Sequence, residues 1–294
     1  FFWITQDNKV TLKQNATERF ESLSYAPFEG YDKKVLSPEQ IKEDISILIK
    51  HTNKVRTYAT ADAKVILEVA SKTNMMVDLG LWLSGDHEEN HKEIQRGLEL
   101  LKKYPNNINN VIVGNETLLR TDLNEVELMA YLDFVKGFTK KPITTAEVWH
   151  TLDEYPEIGN HVDFITVHFL PYWENVPIEQ FNNFIIEKYS IIEKKYPNKK
   201  ITIGETGWPS HGYNKNGAVP SLKNQAIAIS NFIALAKEKN WSYNIVEAFD
   251  QPWKGYDEGN VGQYWGMFTS DRALKFQLNG DIELNQYWLY QMIA

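Results

Sequence analysis

Eight short apolar runs, each followed by a polar or amphipathic stretch, recur from one end of the chain to the other. That alternation limits the folds open to it. The runs are FESLSYAPF (20–28), KVRTYA (54–59), MMVDLGLWL (75–83), NNVIVGNE (109–116), PITTAEVW (142–149), VDFITVHFL (162–170), KITIGETGW (200–208) and YNIVEAFDQPW (243–253). Each is rich in β-branched or aromatic residues and bounded by polar or turn residues, as strands are. Strands alternating with helices imply a parallel sheet. Eight such units in 294 residues fit a closed (β/α)8 barrel, an α/β TIM-barrel fold, read here as one domain over 1–294. A doubly wound open sheet is the alternative, but no GxGxxG or P-loop supports a nucleotide fold.

The intervening stretches carry helix signals. SPEQIKEDISILIKH opens with Ser37 as N-cap, Pro38 at the first helical position and Gln40 placed for a capping box. Ile41, Ile45, Leu48 and Ile49 then fall on one face. ADAKVILEVASK, HKEIQRGLELLKKY, NEVELMAYLDFVKGF, PIEQFNNFIIEKYSIIEKKY and SLKNQAIAISNFIALAKEKN behave alike. The link after the fifth run is short and ends in Pro156 and Gly159, and LNQYWLYQMI reads as a last helix.

Composition removes several function classes. Acidic residues outnumber basic ones, 39 to 31, for a net charge of −8. A nucleic-acid or anionic-membrane partner would call for a basic face. There is no cysteine, hence no disulfide framework, thiol nucleophile or Cys-bound metal. No run of 18 apolar residues marks a membrane span. The first residues, FFWITQDNKV, lack the basic region and apolar core of a signal peptide.

In a barrel of this kind the active site lies at the C-terminal ends of the strands. The fourth run ends in Asn115 and Glu116, and the seventh in Glu205. The eighth carries Glu247 and Asp250, the second ends at Tyr58 and the sixth carries His168. Trp82, Trp149, Trp173, Trp208 and Trp253 sit at or just beyond run ends, so five of nine tryptophans fall on one rim. Two carboxylates facing each other under an aromatic rim suit glycoside hydrolysis, which needs one protonated carboxyl and one ionised. Aromatic faces suit the apolar faces of sugar rings. Gly114 and Gly204 precede the two tips where a side chain would crowd the mouth, while Gly207 and Pro209 allow a tight exit. A single glutamate at a strand end is more often solvated or capping, and a single histidine more often packed. The matched pair of Gly-flanked glutamates is what points to chemistry.

VIVGNE, ITIGETGWPS and EAFDQPWK resemble segments of glycoside hydrolase family 17, the β-1,3-glucanases and β-1,3-glucan transglycosylases. The likeness runs along nearly the whole chain, from SYAPF and VRTYA to YWGMF. It implies a retaining (β/α)8 barrel with Glu116 as acid/base and Glu205 as nucleophile, their carboxyl groups about 5–5.5 Å apart. It further implies Asn115 at the sugar 2-hydroxyl, Tyr58 and Tyr172 lining the site, Trp208 as a glucose platform and Lys254 holding the acid/base region. His168, Trp149, Glu247 and Trp253 complete the expected substrate-binding set. The substrate would be β-1,3-glucan, cut by double displacement, with transfer to a sugar acceptor as the alternative outcome. No metal or organic cofactor is required. Gln251 stands where many members carry an acid, and HFLPYW differs from the YPYF of plant members. The cysteine-free core and short loops resemble bacterial forms. A monomer that is secreted, periplasmic or at the cell surface is expected.

Two other functions compete with this one. HEENH (87–91) matches the zinc-protease pattern HExxH, yet Gly97 stands where an extended motif needs a third histidine. A glucan-binding protein without turnover would lose a carboxylate, and both are present. Asn-X-Ser/Thr triplets occur at Asn15, Asn115 and Asn240; a glycan on Asn115 would block the expected site.

Overall fold

The structure, a computed structural model, describes residues 9–12 and 19–283. In chain order its strands are β1 (Lys9–Leu12), β2 (Leu23–Ser24), β3 (Phe28–Glu29), β4 (Lys34–Val35), β5 (Lys54–Arg56), β6 (Met76–Leu81), β7 (Ile108–Asn115), β8 (Ile143–Val148), β9 (Ile165–His168), β10 (Ile201–Thr206), β11 (Ser242–Ile245) and β12 (Gly280–Glu283). The helices are α1 (Pro38–Leu48), α2 (Thr60–Ala70), α3 (His87–Lys103), α4 (Glu125–Phe138), α5 (Trp149–Glu154), α6 (Ile158–His161), α7 (Phe181–Lys195) and α8 (Leu222–Lys239).

Eight strands close into a barrel in the order β2-β5-β6-β7-β8-β9-β10-β11, with β11 returning to β2. Every neighbouring pair is parallel. Each of the eight apolar runs supplies one barrel strand, so the (β/α)8 expectation holds. The core is the packing of strand residues such as Val55, Val77, Leu79, Val111 and Ile203 against helix residues such as Ile45, Ile66, Ile94, Leu132 and Ile229, all at most 1% exposed. Each fully buried aliphatic side chain contributes about 1.5–3 kcal/mol.

Local signals act as their chemistry requires. Ser37 and Gln40 form a reciprocal capping box at the start of α1, and Asn124 with Glu127 does the same for α4. Such caps contribute about 1 kcal/mol each. The first barrel strand is shorter than its run, because after Ala26 the chain turns into the antiparallel β3–β4 hairpin. The link after β8 holds two short helices, α5 and α6. Apart from the barrel, β1 pairs antiparallel with β12 in a two-stranded sheet. The helix expected from LNQYWLYQMI lies outside the described residues.

Candidate active site

Arg56 organises the cleft, and no reading of the sequence singled it out. It ends β5 with its side chain 2% exposed. Nη1 donates to the Gly204 carbonyl at 2.6 Å and to Glu205 Oε1 at 3.1 Å, and Nη2 donates to Asn115 Oδ1 at 2.5 Å. One buried guanidinium thus joins the tips of β7 and β10. Two residues on, Tyr58 Oη lies 2.9 Å from both Glu205 Oε1 and Ser24 Oγ. Burial, then the Glu205 charge, pushes the Tyr58 phenol well above its usual range, so it stays a donor to Glu205.

Both glutamates follow a glycine at a break in strand register. Between Ile203 and Glu205 the pairing of β10 with β9 shifts. A Cβ on Gly204 would fall 2.4 Å from Thr166 Cγ2 and 3.1 Å from the His168 ring, so only glycine fits. Between Ile112 and Asn115 the pairing of β7 with β8 shifts as well, and Gly114 there has φ +81°. Such irregularities re-aim side chains next to active sites. Glu116 itself has φ +52°, a left-handed conformation that non-glycine residues rarely adopt.

His168 bridges the pair. Its Nδ1 is 2.8 Å from Glu116 Oε1, while Nε2 is 3.2 Å from Arg56 Nη1 and 3.8 Å from Glu205 Oε1. In the neutral ring Nε2 accepts from Arg56, which leaves Nδ1–H to donate to Glu116. Burial pushes the Glu205 carboxyl up. The neighbouring His168, then Arg56, the Tyr58 hydroxyl and Lys254 pull it down, and the pull wins, holding Glu205 below the usual carboxylate range. Ligand atoms of Glu116, His168 and Glu205 all lie within 4.8 Å of one another, a set able to hold a metal. Here those atoms bond one another and Arg56, so a guanidinium already supplies the positive charge.

Several expected substrate contacts change. Trp208 is fully buried, donating Nε1–H to the Val219 carbonyl at 3.1 Å and packing edge-on against Tyr172 and Phe181. It is core under the cleft, not a glucose platform. Tyr172 is fully buried too, its hydroxyl donating to the Tyr213 carbonyl at 2.7 Å, so it supports the wall without lining it. Glu247 is 1% exposed and paired with Lys254 at 2.9 Å. Burial pushes its carboxyl up to about 7 against the pull of Lys254, which the contact keeps cationic. Lys254 bonds Glu247 and acts on Glu205 through its charge, whereas the family resemblance assigned it to the acid/base side. His168 is 1% exposed with both ring nitrogens engaged, and serves the two carboxylates rather than a sugar. Trp149 and Trp253 remain half-buried at the rim, with Lys188 4.4 Å from one ring and Lys33 4.1 Å from the other. The HEENH histidines open α3 at the surface: His87 Nδ1 meets the Tyr131 hydroxyl at 2.9 Å and His91 Nδ1 the His87 carbonyl at 2.6 Å.

Comparison with known proteins fits this geometry. Residues 22–266 match the family described as the BtgE/BtgC glycoside hydrolase domain. A glucan 1,3-beta-glucosidase of Arthroderma benhamiae is 32% identical over 271 residues, covering 83% of this chain and 85% of that protein. One from Schizosaccharomyces pombe is 28% identical, covering 80% and 79%. The crystal structure of a glycoside hydrolase family 17 beta-1,3-glucanosyltransferase from Rhizomucor miehei superimposes with a TM-score of 0.80 at 26% identity, covering 89% of this chain and 98% of that one. These relatives are fungal, so the expected bacterial affinity is not supported.

Proposed function

The chain belongs to the BtgE/BtgC glycoside hydrolase domain family, and from that premise we propose how its residues divide the work. It is a glycoside hydrolase acting on β-1,3-glucan chains, as its family and its relatives named for glucan 1,3-beta-glucosidase activity support. In the proposed scheme Glu205 is the nucleophile and Glu116 the acid/base. Glu205 attacks the anomeric carbon while Glu116 gives its proton to the departing oxygen. A glycosyl-enzyme forms, and Glu116 then takes a proton from the incoming water. Arg56 and Tyr58 keep Glu205 ionised and aimed, and His168 holds Glu116.

One observation carries the scheme: a Glu116 oxygen and a Glu205 oxygen lie within 4.8 Å. Retaining enzymes hold their carboxyls about 5–5.5 Å apart and inverting ones about 6.5–9.5 Å, to seat a water. Proton NMR of the first product from laminaritriose should show the β anomer. An α product overturns the scheme.

A second outcome of the same intermediate is transfer to a sugar hydroxyl, favoured by the likeness to the Rhizomucor miehei glucanosyltransferase. Products longer than the starting oligosaccharide would reveal it. We also propose that one barrel carries the whole reaction and that the protein works outside the cytoplasm, where a polymeric glucan is reachable.

A further inference from the structure

Glu147 is a buried carboxylate with no part in the scheme above. It lies on β8, 0% exposed. Oε1 accepts from the Leu118 N–H at 2.8 Å and the Thr117 hydroxyl at 3.3 Å, and Oε2 accepts from the Leu119 N–H at 3.4 Å. These donors belong to the three residues that directly follow Glu116. The residue before Glu147 takes the next link, since the Glu116 N–H donates to the Ala146 carbonyl at 2.7 Å. Two adjacent residues of one strand therefore fix four consecutive residues at the tip of its neighbour.

That grip answers a need. Glu116 sits at φ +52°, and such a backbone persists only where the surroundings over-determine it. A carboxylate accepting main-chain N–H bonds is among the stronger ways to do so. We propose that Glu147 is a positioning residue for the acid/base: it anchors the Thr117–Leu119 turn and so aims Glu116 at the glycosidic oxygen. The proposal rests on the reading of Glu116 as acid/base. Burial is the chief influence on Glu147, pushing it up to about 7 against the pull of the Leu118 N–H, with the Glu116 charge adding to the rise. The site thus spends desolvation energy to keep a carboxyl where a neutral side chain would be easier to bury.

The test uses leaving groups. Protonation matters for a sugar leaving group and hardly for dinitrophenolate, so kcat/KM is compared on laminaritriose and on a dinitrophenyl β-laminaribioside. Glu147→Gln keeps the size but turns an NH2 group toward the donors. It should lose about tenfold to a hundredfold on laminaritriose, a share of what general acid catalysis supplies, and stay within about threefold on the activated substrate. Glu116→Gln, measured alongside, should show the same selectivity more strongly. Equal losses of Glu147→Gln on both substrates, or no loss, overturn the positioning role while leaving the Glu116 assignment intact. An unselective Glu116→Gln overturns the assignment and this inference with it. Should Glu147→Gln fail to fold, Thr117→Val carries the same comparison, with a selective loss of about twofold to fivefold expected for one hydrogen bond and an unselective or absent loss counting against the proposal.

Discussion

Glu205 sits within its strand and is gripped by side chains; Glu116 follows its strand on a left-handed backbone and is gripped largely through the main chain around it. Glu205 Oε1 takes donors from both Arg56 and Tyr58, and its side chain is 11% exposed. Among the described residues Glu116 takes one side-chain partner, His168, and its side chain is 22% exposed. The difference suits the two jobs. A nucleophile must stay ionised at a fixed point, which a buried cation and a phenol secure. An acid/base must change charge during turnover, which a permanent cation against it would oppose, whereas an imidazole accommodates either form.

Removing each carboxyl should break the comparison most. Glu205→Gln abolishes the covalent step, and turnover on laminari-oligosaccharides should fall by about four to six orders of magnitude, the scale seen when a covalent nucleophile is deleted. Affinity for the sugar, followed by calorimetry, should persist. Turnover close to that of the unaltered protein would show that the β10 carboxylate, Glu205, is not the nucleophile.

Arg56→Met removes the buried cation from Glu205, and with it the bonds to Gly204, Asn115 and His168. Breaking a buried ion pair from one side costs about 3–5 kcal/mol, so a lower melting temperature is expected, with kcat/KM down by about two to three orders of magnitude. The sign of the pH effect follows from the opposing influences. Burial raises Glu205, and Arg56 is among the groups that reverse it. Without Arg56 the carboxyl titrates higher, so the acidic limb of the pH–rate profile should move to higher pH. The alkaline limb, which reports the group that must stay protonated, should move less. An acidic limb left in place would mean that Arg56 serves the fold alone.

What the sequence made legible, and what it hid, divides along the same line. Period and turn chemistry placed all eight barrel strands, because strand residues buried on both faces read as short continuous apolar runs. Both glutamates were legible because each follows a glycine by one or two residues at a strand tip, in Gly-Glu and Gly-Asn-Glu. Arg56 was not, since one arginine in KVRTYA looks like any charged residue at a strand end. Its burial and its spacing of two from Tyr58, which set both on one strand face, were the available signals. Glu147 was hidden inside TTAEV for the same reason. Trp208 and Tyr172 misled in the other direction: a strand-end aromatic reads the same whether it faces solvent or the layer beneath, and only the Val219 and Tyr213 carbonyls that receive their polar hydrogens settle which.

Tyr58→Phe is the gentlest way to sharpen the contrast, because it removes a single oxygen from the Glu205 side. The phenol links Ser24 Oγ to Glu205 Oε1, and Arg56 remains to hold the carboxylate. A hydrogen bond to a charged group contributes about 1.5–3 kcal/mol; at the low end, with Arg56 in place, that is about tenfold in rate. The loss should appear in kcat, since the bond serves the attacking group, and the acidic limb should shift slightly upward because the Tyr58 hydroxyl is one of the influences lowering Glu205. A loss confined to KM, with the pH profile unmoved, would instead put Tyr58 against the sugar. The grip on Glu205 would then belong to Arg56 alone, and the side-chain clamp contrasted with the main-chain hold on Glu116 would shrink to one residue.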